Sequence, residues 1–132
     1  MSIRYLAETK DYKVYSIFES VYLKNKSTCR NLVEHEEEDQ CIAWIYGDPD
    51  SAVISCDGSF IVVAGCGITI FYIETNQATE LFNEPDDITW TEGIYQSSED
   101  DCKYVRFNAL TKKDNLKIHR LDTQKGSLEV LS

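Results

Sequence analysis

The sequence predicts a mainly β protein: a single-domain antiparallel β-meander in an open or curled sheet, with a short N-terminal helix as the one open alternative. Three observations carry that expectation. Apolar runs of a few residues recur from residue 41 onward. They are separated by turn signals such as Gly47-Asp48-Pro49-Asp50, Asp57-Gly58 and Gln124-Lys125-Gly126, whose residue types suit tight turns and tolerate positive φ. Eight Tyr, five Phe and two Trp among 132 residues supply aromatic side chains that strands favour. A chain of this length fits one domain, and a hydrophobic content of 42% is enough for a packed core.

Within residues 41–132, taken as the meander, the strands read in order. Cys41 to Tyr46 and Ser51 to Ser55 flank the Gly47–Asp50 turn. Phe60–Ala64 and Ile68–Ile73 are apolar throughout, which indicates burial on both faces. Ile88–Thr91 and Ile94–Gln96 form a weaker pair around Gly93. Tyr104–Ala109 alternates and reads as half exposed, and Leu116–Leu121 and Leu128–Leu131 follow. Residues 1–40 are of uncertain structure. Val14, Ile17, Phe18, Val21 and Tyr22 would share one helical face, yet the β-branched and aromatic content of residues 12–23 favours strand.

The stretch CDGSFIVVAGCGITIFYIETNQATEL, residues 56–81, resembles one blade of a WD-type β-propeller: turn, strand, tight turn, strand, polar turn, short strand. A faint internal repeat supports it. Phe60–Ala64 matches Tyr104–Asn108 in shape, and Ile70-x-x-Ile73-Glu74-Thr75 matches Ile118-x-x-Leu121-Asp122-Thr123 forty-eight residues on, near the period of such repeats. Both copies lack the Trp-Asp dipeptide and the Gly-His signature. A closed propeller needs at least four blades, and this chain has room for three, so the resemblance implies blade-like units without closure.

Charge is segregated along the chain. Net charge is −10, but residues 1–30 balance to +3, residues 31–101 to −17 without one Lys or Arg, and residues 102–132 to +4. The carboxylates gather in four connections between apolar runs: Glu36, Glu37, Glu38 and Asp39 after Glu34; Asp48 and Asp50; Glu84, Asp86 and Asp87; Glu99, Asp100 and Asp101. Solvated loops, or basic termini folded back on the middle, would account for this as a solubility device. Loops sharing one end of a sheet would instead concentrate a field for a cationic partner. Trp44, Tyr46, Trp90 and Tyr95 lie within a few residues of these clusters and are the candidate anchors of such an interface.

Chemistry is poorly supplied. Cys66 between Gly65 and Gly67 could present a thiol, with His119 as a base, but two glycines around a small residue more simply make a tight turn. His35 and His119 are the only histidines, and no spacing matches a zinc, calcium, Walker-type or dinucleotide motif. No enzyme activity, cofactor or metal is expected. Acidity disfavours direct nucleic-acid binding. No run reaches the roughly 18 apolar residues of a membrane helix, and MSIRYLAETKDYK has no secretory character. A cytoplasmic chain with Cys29, Cys41, Cys56, Cys66 and Cys102 as free thiols is therefore expected.

In size, acidity and β character the chain resembles the immunity proteins of bacterial contact-dependent growth inhibition and related toxin systems. That resemblance implies a cognate, basic toxin domain as partner, such as a nuclease whose active-site cleft the acidic loops cover. Two alternatives stay open: a non-catalytic adaptor that binds a peptide or protein, and a small cysteine-dependent enzyme. Oligomeric state has no signature here.

Overall fold

The computed structural model describes residues 3–84, 87–88, 90–110 and 117–131. The chain is mainly β and antiparallel, as expected, but its meander is divided into three four-stranded sheets. The first holds β1 (Ile3–Glu8), β2 (Tyr12–Ile17), β3 (Ser20–Asn25) and β4 (Gln40–Trp44) in sequential order. The second holds β5 (Ser51–Ile54), β6 (Phe60–Gly65), β7 (Gly67–Tyr72) and β8 (Gln77–Leu81). A two-stranded ladder of β9 (Asn83–Glu84) and β10 (Asp87–Ile88) leads to the third. That sheet holds β11 (Trp90–Tyr95), β12 (Tyr104–Leu110), β13 (Lys117–Asp122) and β14 (Leu128–Val130).

The second sheet is the middle layer, and the alternation of side chains along a strand explains how. Phe60, Val62 and Ala64 of β6, with Ile68 and Ile70 of β7, pack on Ile94, Val105, Phe107, Ala109 and Leu121 of the third sheet. The intervening Ile61 and Val63, with Ala52, Ile54 and Phe71, pack on Val14, Val21, Leu23, Ile42 and Ile45 from the first sheet side. Each face of β6 thus meets a different sheet, so the unbroken apolar run is fully buried. The internal repeat has a structural counterpart: its two copies supply the second and third strands of the second and third sheets.

Residues 12–25 are two strands, β2 and β3, and the short-helix alternative is not found among the described residues. A two-residue turn at Phe18-Glu19 joins them, with Phe18 at φ 53° and largely exposed. Every residue from Lys13 to Ser16 is buried, although only one face meets the core. Residues 26–39 cover the other face. Lys13 Nζ donates to Leu32 O at 2.8 Å, and Tyr5 Oη donates to Val33 O at 2.9 Å, strapping this loop across the sheet. The helix-like spacing of Val14, Ile17, Val21 and Tyr22 arises because both faces of these strands need apolar or aromatic cover.

The first strands of the three sheets are neighbours: β5 lies between β1 and β11. Polar side chains bind the sheets there. Thr91 Oγ1 accepts from Gly65 N at 2.8 Å and donates to Gly67 O at 2.7 Å. Asp50 Oδ2 accepts from Gly93 N at 2.8 Å, and Ser51 Oγ accepts from Ile94 N at 3.0 Å. At the other end of the sheets Cys56 and Cys102 form a disulfide, their Cα atoms 5.2 Å apart. This corrects the expectation of five free thiols. The pairing joins two turns 46 residues apart, one from each sheet, which no sequence spacing reveals. Cys29, Cys41 and Cys66 are free. Among the described residues no helix is long and apolar enough to cross a membrane.

Candidate functional site

The four acidic connections have different settings. Glu36 and Asp39 belong to the strap over the first sheet and are used internally. Lys24 is a buried lysine, and its Nζ lies 2.8 Å from Glu36 Oε1 and 3.0 Å from Asp39 Oδ2. Asp39 also accepts from Tyr15 Oη at 2.5 Å, and Tyr15 Oη contacts His35 Nδ1 at 2.7 Å. Burial alone would lower the Lys24 ammonium, but the two carboxylates reverse that and hold it above the ordinary lysine value. Hydrogen bonds from Lys24 and from the Asn31 backbone hold Glu36 below the ordinary carboxylate range. Glu37 and Glu38 remain exposed.

Glu99, Asp100 and Asp101 form a 3₁₀ turn and its end, capped by Ser97. Asp100 is fully buried and pairs with Arg106 at 3.1 Å. Glu99 reaches the same guanidinium at 3.4 Å from an exposed position. Tyr95, paired in register with Arg106, is at this end of the third sheet, half exposed. Glu84 and Asp87 fall on the short ladder β9–β10, and Asp86 lies outside the described residues.

The remaining cluster, Asp48 and Asp50, borders a groove of about 510 Å³. Its floor is made by close backbone approach. A Cβ on Gly65 would sit 2.8 Å from Ile45 Cγ2 and 3.2 Å from both Asp48 O and Asp50 N, so only glycine lets the β6–β7 turn meet the β4–β5 loop. Cys66 at the tip of that turn bridges to Trp90, and burial pushes its thiol pKa up, which disfavours a thiolate nucleophile. Trp90 comes from β11 with its ring against Gly47, Cη2 lying 3.6 Å from a Cβ placed there. Trp90 is 47% exposed. Glu92, two residues along the same strand, lines the groove with Trp90 and Leu110.

Arg4 of β1 reaches across to the loop, donating to the carbonyls of Pro49 and of Asp50. Asp50 spends one carboxylate oxygen on Gly93 N and Ser51 Oγ. Among the described residues no cation forms an ion pair with Asp48 or Glu92. The groove therefore combines an open aromatic face with a net negative lining. Trp44 at the end of β4 and Tyr46 on the β4–β5 connection are mostly exposed, with ring centroids 6.5 Å apart.

Of the sequence candidates, then, Asp48, Asp50 and Trp90 come together, with Trp44 at the end of β4 and Tyr46 on the adjoining loop. Glu36–Asp39 and Tyr95 with Glu99–Asp101 are in other places. Sequence reasoning missed Arg4, Gly47, Glu92 and Leu110. Glu92 is a lone carboxylate in a weak strand, and Arg4 lies 45 and 46 residues before the two carbonyls it holds, so neither had a local signal. Among the described residues no three His, Cys, Asp or Glu side chains are grouped to hold a metal. Compared with known proteins, the chain matches no family model and no curated sequence.

Proposed function

We propose that this chain is a non-catalytic binding protein that seats a cationic protein partner on the groove around Trp90. In the form implied by its immunity-protein resemblance, the partner is a basic toxin domain, and binding covers the active-site cleft of a nuclease. One observation carries the reading: a half-exposed indole beside Asp48 and Glu92, in a groove whose only described cation, Arg4, is committed to backbone carbonyls. Exposed aromatic anchors set dissociation rates, and surrounding carboxylates steer a basic partner in. The exposed Glu37 and Glu38, with the chain's net charge of −10, add long-range attraction.

The test is to look beside this chain's gene for a reading frame that ends in a basic, nuclease-like domain, and to measure association kinetics with its product from low to high salt. The expected result is an association rate that falls steeply with salt, and falls again in an Asp48→Lys, Glu92→Lys variant. A rate indifferent to both would overturn the reading. The inhibitor form also places the encounter in the cytosol of the producing cell. Thiol pools there keep most cysteines reduced, so a Cys56–Cys102 bond that persists in protein isolated from that cell would point to an oxidising compartment instead.

A second reading is favoured by β14, a third-sheet edge strand with Leu128 and Val130 exposed. An extended peptide could add there as a further strand, making the chain an adaptor. Binding would then depend little on salt, and amide protection would increase along β14 rather than around the groove.

A further inference from the structure

Beyond a basic partner in general, we infer that the groove at Trp90 takes the guanidinium of a single arginine side chain. This inference rests on the proposed binding role of the groove and specifies the chemistry of its central contact.

Three features carry it. The Trp90 ring is held in place, backed by Gly47 and fixed through its own backbone by the bridge to Cys66, while the residue stays almost half exposed. A rigid, open indole face is the best side-chain platform for a cation. Next, Asp48 and Glu92 reach the groove from different elements, the β4–β5 loop and β11, so a planar fork lying on the indole has an acceptor available from each. Lastly, the groove already tolerates one guanidinium. Arg4 binds at the edge through the Pro49 and Asp50 carbonyls and forms no ion pair with the Asp48 or Glu92 carboxylate, nor does any other cation among the described residues.

Arginine rather than lysine follows from the shape and hydration of the two cations. Guanidinium is flat, weakly hydrated on its faces and carries donors pointing in several directions. It can stack on the indole and reach two separated carboxylates at once. An ammonium is a compact, strongly hydrated charge that would satisfy one carboxylate and gain less from the ring. A volume of about 510 Å³ accommodates the side chain with part of the backbone that bears it.

The test uses the full chain, isotope-labelled, and three capped amino acids as probes: acetyl-arginine amide, acetyl-citrulline amide as its neutral isostere, and acetyl-lysine amide. The two indole N–H signals are assigned with a Trp44→Phe variant. The arginine probe is expected to shift the Trp90 indole and the amides around Asp48 and Glu92 saturably, leaving Trp44 unmoved. The citrulline probe should bind roughly tenfold more weakly, the size expected of a cation–π contact with charge-assisted bonds. Trp90→Leu and Glu92→Gln should each weaken the arginine probe, in proteins whose remaining spectra are unchanged. Equal binding by citrulline or lysine, or no movement at Trp90, would overturn the arginine assignment. An octa-arginine peptide separates that failure from failure of the wider reading. If it binds in a salt-dependent way without disturbing Trp90, the cationic-partner reading stands and the arginine subsite falls. If it binds nowhere, both fall.

Discussion

Lys24 Nζ lies 3.0 Å from Asp39 Oδ2, with 1% and 4% of the two side chains exposed. A buried cation and a buried anion, brought together from β3 and the strap over it, hold residues 26–39 against the first sheet. The strap converts what would be a solvated sheet face into an interior. Removing one member of such a pair leaves the other charged and desolvated, which costs far more than the pair itself contributes.

Lys24→Met is therefore expected to lower unfolding free energy by about 3 kcal/mol, measured by urea denaturation. The same variant should expose the amides of residues 26–39 to rapid hydrogen exchange while β6 and β7 stay protected. A double variant, Lys24→Met with Asp39→Leu, should recover part of the loss, because it removes the more deeply buried of the two orphaned carboxylates.

Gly65→Ala should disturb the groove through packing, in addition to the backbone cost of its positive φ. The new Cβ would sit 2.8 Å from Ile45 Cγ2, at φ +149°. A loss of about 1–3 kcal/mol is expected, with shifted resonances at residues 45–50 and at Trp90. Gly58→Ala is the control: its φ is also positive, at +73°, but nothing lies within 4 Å of the added carbon. It should pay the backbone cost without disturbing the groove.

Acid should weaken the fold through Asp100. Burial pushes this carboxyl up, but hydrogen bonds from Ser97 N and Arg106 outweigh that and hold it below its ordinary value. A group depressed in the folded state contributes stability that is present above its unfolded pKa of about 3.9 and lost as pH falls through the lower folded value. Glu36, depressed by Lys24, acts in the same direction. Melting temperatures measured from neutral pH downward should decline most steeply below about pH 4, and Asp100→Asn should flatten that decline while lowering the neutral value.

Reducing the Cys56–Cys102 bond should cost about 2–4 kcal/mol of stability, since it closes a long loop. Both cysteines lie at the end of the sheets where Cys56 N also bonds Gln96 Oε1. The variant Cys56→Ser, Cys102→Ser should therefore melt earlier than the native chain, yet respond unchanged to a cationic probe at Trp90.

Mainly β character and most strand positions were legible because alternation and turn chemistry are local. The unbroken apolar run of Phe60–Ala64 even disclosed a strand buried on both faces. What covers those faces depends on which sheet each neighbour joins, and that is not local. Division into three sheets, the strap over β2 and β3, and the Cys56–Cys102 pairing all lie in long-range contacts. Charge counting treated Glu36, Asp39 and Asp100 as equal to Asp48. Yet Lys24 and Arg106 lie outside the acidic region, and they neutralise those three carboxylates in space. Trp90 and Asp48 were nameable one by one, while the glycines at 47 and 65 that let them share a groove became meaningful only through their neighbours.

With β6 and β7 touching a different sheet on either side, neither outer sheet has a foundation of its own. Loosening the centre deprives both at once, so melting should proceed as one event rather than sheet by sheet. The last amides to exchange should be those of Ile61–Val63 and Ile68–Ile70. Variation that the chain can absorb is accordingly confined to its periphery, where the groove and the strap are found.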